Sequence, residues 1–81
     1  MHGLSFLVRR PPDEGEAVRW LRRAAAQGFM DAEYSLGIML GEGRGVQQDL
    51  IESLGWLQRA AEKGHPGAID LLRRTTGNRK Q

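Results

Sequence analysis

Apolar positions along the chain recur at helical spacing in three stretches and, more weakly, in a fourth. In EAVRWLRRAAAQG, Ala17, Trp20, Leu21, Ala24 and Ala25 return every three or four residues. Over approximately Asp31 to Leu40, Ala32, Leu36 and Leu40 form an i,i+4 stripe. Tyr34, Ile38 and Met39 widen that surface, which predicts contacts on more than one side. In ESLGWLQRAAEKG and the residues before it, Leu50, Leu54, Leu57 and Ala61 make a stripe, with Trp56 and Ala60 on an adjoining strip. After Gly64 only Ala68 and Leu72 keep the pattern.

Polar residues mark the ends of these stretches. Asp13 with Glu16, and Asp49 with Glu52, are spaced as an N-cap and its third helical residue. Gly28 and Gly64 are placed for the left-handed C-terminal turn, and Pro66 suits the first turn of a following helix. The segment GEGRGVQQ is expected to break the middle helix at Gly41, Gly43 and Gly45, with Val46 anchoring the turn to the core. Gly55 departs from the pattern, since a better helix former there would add roughly 1 kcal/mol. Close packing is its expected reason.

The chain also matches itself. At an offset of 36, Asp13 meets Asp49, Glu16 meets Glu52, Trp20 meets Trp56, and Leu21 meets Leu57. Arg23, Ala24 and Ala25 then meet Arg59, Ala60 and Ala61; Gly28 meets Gly64, Ala32 meets Ala68, and Leu36 meets Leu72. Both tryptophans fall in register. A fixed period of this length is the signature of stacked helical repeats.

Three motifs in order carry a family resemblance: Ala32–Glu33–Tyr34–Ser35–Leu36–Gly37, then Gly43–Arg44–Gly45–Val46 with Asp49, then Trp56 through Gly64 with Ala60 and Ala61. Together they resemble a Sel1-like repeat, a relative of the tetratricopeptide repeat. The resemblance implies an all-α fold, a short α/α solenoid of antiparallel helix pairs. One full unit spans about 29–64 and a matching second-helix block covers 13–28. It further implies a right-handed superhelix whose concave face receives peptides or protein surfaces. Residues 1–12 are read as a non-repeat N-terminal segment, 13–72 as the repeat domain and 73–81 as a basic, flexible tail. Residues 1–12 do not show the alanine–leucine–glycine pattern of a first helix. Leu4, Phe6, Leu7 and Val8 are read as a shortened cap, a docking segment or the remnant of a truncated repeat.

Composition agrees with helix: leucine and arginine are abundant, while Val, Ile, Thr, Tyr and Phe are scarce. The 81 residues suffice for one small domain or a piece of a larger one, and exclude a large two-domain enzyme. There is no cysteine, so disulfides, thiol chemistry and Cys-type zinc sites are excluded. With no signal-peptide pattern and no apolar run of about 20 residues, the expected location is cytoplasmic. Net charge is +2, but the tail from residue 73 carries Arg73, Arg74, Arg79 and Lys80, so the rest is slightly acidic.

Candidate chemistry is thin. GEGRGV lacks the spacing of a dinucleotide loop and follows a helix, and no P-loop lysine occurs. His2 and His65 stand alone, with His65 expected at a turn facing solvent, and Ser5, Ser35 and Ser53 lack a nucleophile elbow. No cofactor, metal or catalytic residue is assigned, and a small enzyme is the least favoured reading. Glu42 and Arg44 are loop charges that either contact a partner or stay solvated. Trp20 and Trp56 are expected to pack in the core, or to anchor an interface where exposed.

The favoured reading is a non-enzymatic protein–protein interaction or assembly module. Its candidate interface is Leu4, Phe6, Leu7, Tyr34, Glu42, Arg44 and Leu72. A salt-dependent nucleic-acid accessory role using Arg9, Arg10, Arg19, Arg22, Arg23 and the tail is the alternative. An array with one complete unit leaves an apolar end uncovered, which predicts a homodimer through solenoid ends, a longer solenoid or a different partner.

Overall fold

Four α-helices follow one another in the computed structural model, which describes residues 13–77: α1 (Glu14–Ala26), α2 (Met30–Glu42), α3 (Leu50–Glu62) and α4 (Pro66–Gly77). No strand occurs among the described residues. Each helix packs chiefly on its neighbours in sequence, α1 on α2, α2 on α3 and α3 on α4. The result is a short all-α solenoid of helix pairs, as the repeat predicts. No helix of the described residues is long and apolar enough to cross a membrane.

The 36-residue match reproduces the helix ends atom for atom. Asp13 accepts from the Glu16 amide at 3.1 Å, and Asp49 accepts from the Glu52 amide at 3.0 Å. Each bond satisfies an amide that has no partner within its own helix. The Glu52 side chain does not turn back to the cap, so only half of the expected reciprocal box forms; it accepts from Arg22 and Trp56 instead. At the other ends, Gly28 and Gly64 adopt φ of 92° and 97°. That conformation lets the Phe29 amide reach Ala24 O and the His65 amide reach Ala60 O.

The helix α2 extends further than the glycines suggest. Gly41 stays helical, while Gly43, which caps α2 at φ 70°, and Gly45, at φ 72°, are left-handed. Val46 is half-buried against the core formed by Val18, Ala25, Ala32, Leu36, Met39 and Leu40. Residues 73–77, expected in the tail, belong to α4, where Arg74 pairs with Asp70 at 2.7 Å.

Close packing of α2 on α3 sets the central hairpin. A Cβ on Gly37 would stand 2.7 Å from Leu57 Cγ, so only glycine permits this approach. Ser53 lies beside it, with Oγ donating to Gly37 O at 2.6 Å. The buried face of α3 is therefore Ser53, Leu57 and Ala60, not the expected stripe through Leu50 and Leu54. Leu50, Ile51 and Leu54 are exposed. Gly55 has nothing within 4 Å of a built Cβ, so close packing does not explain it.

Candidate protein-binding groove

The two tryptophans have the same local surroundings and different burial. Arg23 lies over the Trp20 ring at 5.2 Å, and Arg59 over the Trp56 ring at 5.1 Å. Both pairs are three residues apart on a helix, so the repeat generates the cation–π contact twice. Trp56 is half-buried against the core and donates Nε1–H to Glu52 at 3.0 Å. Trp20 is 61% exposed and does not sit in the core. Its neighbours differ because no helix covers that side of α1 among the described residues.

Beside Trp20 lies a groove of about 810 Å³ between α1 and α2. Ala17, Trp20 and Leu21 form one wall, and Tyr34, Ile38 and Met39 the other. Glu42 and Arg44 border it. The lining is mainly apolar, and the space opens to solvent. Of the interface residues read from the sequence, Tyr34, Glu42 and Arg44 meet here. Leu72 is half-buried on α4 and does not line the groove. Leu4, Phe6 and Leu7 lie outside the described residues.

Arg44 is held in place by acids rather than solvated alone. Its Nε and Nη2 donate to Glu14 Oε2 at 3.1 and 2.9 Å, and Nη1 donates to Glu42 at 3.2 Å. Hydrogen bonding to Glu14, then to Glu42, raises the pKa of the guanidinium. The loop after α2 is thereby tied to the start of α1. Gly45 makes this possible, because a Cβ there would collide with the Glu14 backbone.

Three features of this region are not visible in the motifs. Glu33 is fully buried, and Lys63 donates to its Oε2 at 2.6 Å and to Gly28 O at 2.9 Å. One ammonium thus links the ends of three helices; Glu33 Oε1 has no partner. A buried acid is rare without a counter-ion. The available sign was its place in the apolar register, three and four residues before Leu36 and Gly37. Second, His65 does not face solvent: its Nδ1 accepts from the Ala68 amide at 3.1 Å, and its ring stacks on Tyr34 at 4.2 Å. It caps α4 and braces one wall of the groove. Third, Ser53 is buried and committed to a helix carbonyl.

The arginines expected to meet nucleic acid are partly engaged. Arg22 pairs with Glu52 at 2.7 Å, and Arg23 covers Trp20. Arg9 and Arg10 lie outside the described residues. No group of three His, Asp or Glu residues able to hold a metal occurs among the described residues.

Comparison with known proteins follows the same lines. The Sel1 repeat model matches residues 1–29 and 31–65. The first match takes in residues 1–12, which the sequence pattern had set apart from the repeats. A chitin synthase regulator SKT5 from Malassezia restricta is 42% identical over 67 residues, covering 83% of this chain and 5% of that protein. A Sel1 repeat protein from Oxalobacter formigenes aligns with a TM-score of 0.76 and 37% identity, over 80% of this chain and 19% of that one. The uropathogenic Escherichia coli protective antigen c5321, described as displaying an SLR fold, aligns with a TM-score of 0.70 and 41% identity. That alignment covers 72% of this chain and 12% of the antigen. The chain therefore spans a small part of the length of each.

Proposed function

The chain belongs to the Sel1 repeat family, and from that premise we propose that it is a protein–protein interaction module without catalytic turnover. The observation that carries the reading is the groove of about 810 Å³ between α1 and α2, with Trp20 61% exposed at its side. Exposed indole in an apolar groove is a strong interface anchor, because it buries a large area at small entropic cost. The walls are preformed: α1 is capped at both ends, Arg44 fixes the adjoining loop, and His65 braces Tyr34. Binding would therefore spend little free energy on ordering the groove itself. The relatives named as chitin synthase regulators favour an adaptor that acts by binding.

The test is local. A photoreactive amino acid in place of Ala17 is expected to cross-link one protein in the cells that naturally make this chain. Trp20→Ala should remove that product, while the same photoreactive group at Ile51 should not form it. Products containing nucleic acid, or a protein product indifferent to Trp20→Ala, would sink the reading.

A further inference from the structure

Packing within α3 gives no reason for Gly55. Glycine weakens a helix interior, and no neighbour within 4 Å of a built Cβ requires it here. The α1 copy of the repeat carries Arg19 at the same register position. The missing side chain leaves a recess of about 260 Å³ lined by Glu52, Gly55, Trp56 and Arg59, and the lining is mainly apolar. Their helical spacing puts these four residues on one face of α3. That face turns toward α1, as the Arg22–Glu52 pair at 2.7 Å shows. Residues 1–12 fall in register with 37–48, whose Gly37 and Gly41 meet α3 at Ser53 and Leu57. The register of that segment therefore leads to Ala17 and Leu21 on α1 and not to the recess.

One charge in the recess is already matched and one is not. Glu52 accepts from Arg22 at 2.7 Å and from the Trp56 indole at 3.0 Å. Hydrogen bonding from Arg22, then from Trp56, lowers its pKa and keeps it anionic at neutral pH. Arg59 lies over the Trp56 ring at 5.1 Å and enters no ion pair among the described residues. A cationic visitor would have to displace Arg22 to find an acid. An anion instead finds a guanidinium fork that no carboxylate has engaged. The apolar lining adds that the anion should be carried on a short hydrocarbon stem.

We propose that the recess beside Gly55 receives a glutamate side chain from an acidic segment of a partner protein, with its carboxylate on Arg59 and its stem over Gly55 against Trp56. Glycine at 55 admits the stem, and a larger residue there fills the seat. The site lies apart from the groove between α1 and α2. It shares with the reading above only that the chain binds protein.

The experiment titrates the full-length ¹⁵N-labelled chain with a short blocked peptide of alternating glutamate and alanine, and with its glutamine twin. The glutamate peptide is expected to shift the Trp56 indole saturably, with a dissociation constant of about 1 mM or below, and to leave the Trp20 indole in place. The glutamine twin should shift neither. Arg59→Gln should weaken binding roughly tenfold or more, and Arg59→Lys, which keeps the charge without the fork, should fall between. Gly55→Leu should abolish the shift at an unchanged or higher thermal midpoint, which separates loss of the seat from loss of the fold. Arg79→Gln, which removes the same charge from the tail, should bind as the wild type does.

Absence of a saturable shift up to about 5 mM peptide overturns the proposal. Equal binding of the glutamine twin, or undiminished binding by Gly55→Leu, does the same. Equal losses in Arg59→Gln and Arg79→Gln would mean attraction to net charge without a seat, and would also overturn it. A Trp56 shift produced by inorganic phosphate at lower concentration than by peptide would give the recess to another anion and remove the glutamate. Each of these failures leaves the Ala17 cross-link and its dependence on Trp20 unaffected, since that test reads the groove.

Discussion

The helices α1 and α3 are two readings of one sequence pattern, and they agree wherever only local forces act. Both start on an aspartate that accepts from the third helical amide, both end on a left-handed glycine, and both set arginine over tryptophan. They differ wherever a neighbour is required. Leu57 is buried and Leu21 is half-buried; Trp56 reaches the core and Trp20 stands mostly in solvent. Sequence repeats thus copy helix ends directly, whereas burial depends on which helices flank each copy among the described residues. The unsatisfied member of the pair is where binding is expected.

That contrast is broken most directly by truncating its two leucines. Leu57→Ala should cost about 3 kcal/mol and Leu21→Ala about 1 kcal/mol, read as shifts of the urea midpoint. Equal losses would mean that α1 is covered as α3 is. Lys63→Met should cost about 2–3 kcal/mol, because it leaves the Glu33 carboxylate buried without a counter-ion. The value falls below that of a fully buried pair since the lysine side chain is 41% exposed. Adding Glu33→Gln should recover part of the loss in the same assay.

Smaller effects sharpen the comparison along the exposed faces. Arg19 stands in α1 where α3 has Gly55, and a Cβ at Gly55 meets open space. Gly55→Ala should therefore raise stability by about 0.5–1 kcal/mol, seen as a higher thermal midpoint. The smallest effect involves protons. Hydrogen bonds from Arg22 first, and Trp56 second, lower the pKa of Glu52. Since the folded value is the lower one, this stabilisation is fully present above the unfolded value of about 4.3 and is lost as pH falls through the folded value. Glu52 is about one-third exposed, which limits the contribution to under about 1 kcal/mol. The stability gap between wild type and Arg22→Gln should accordingly be small at neutral pH and close in acid.

Most of the fold was legible because its signals are local or repeated. Caps, terminating glycines and the 36-residue period together place four helices. Three contributions were harder to read. The buried stripe of α3 runs through Ser53 and Ala60, small residues that a hydrophobic pattern ranks below Leu50 and Leu54. Their burial follows from the short interhelical distance that Gly37 allows, which is a property of two helices together. Glu33 is buried because Lys63, thirty residues away, reaches it. His65 caps a helix through a ring nitrogen, a role for which serine, threonine, asparagine and aspartate are the usual residues. Of the groove, Tyr34, Glu42 and Arg44 were anticipated. Trp20 was read as core first and as an exposed interface anchor second, because its exposure depends on which helices flank α1 among the described residues.

Helix packing restricted mainly to sequence neighbours also governs how the chain finds its structure. Short loops join every contacting pair, so little loop-closure entropy opposes their meeting. Such low contact order places folding in the microsecond-to-millisecond range typical of small helical proteins. The α2–α3 hairpin, with the most intimate crossing, is the natural nucleus, and α1 and α4 add to its two sides. A change on the outer face of α1 then alters the unfolding rate far more than the folding rate. The end proposed to receive a partner is also the end expected to assemble late.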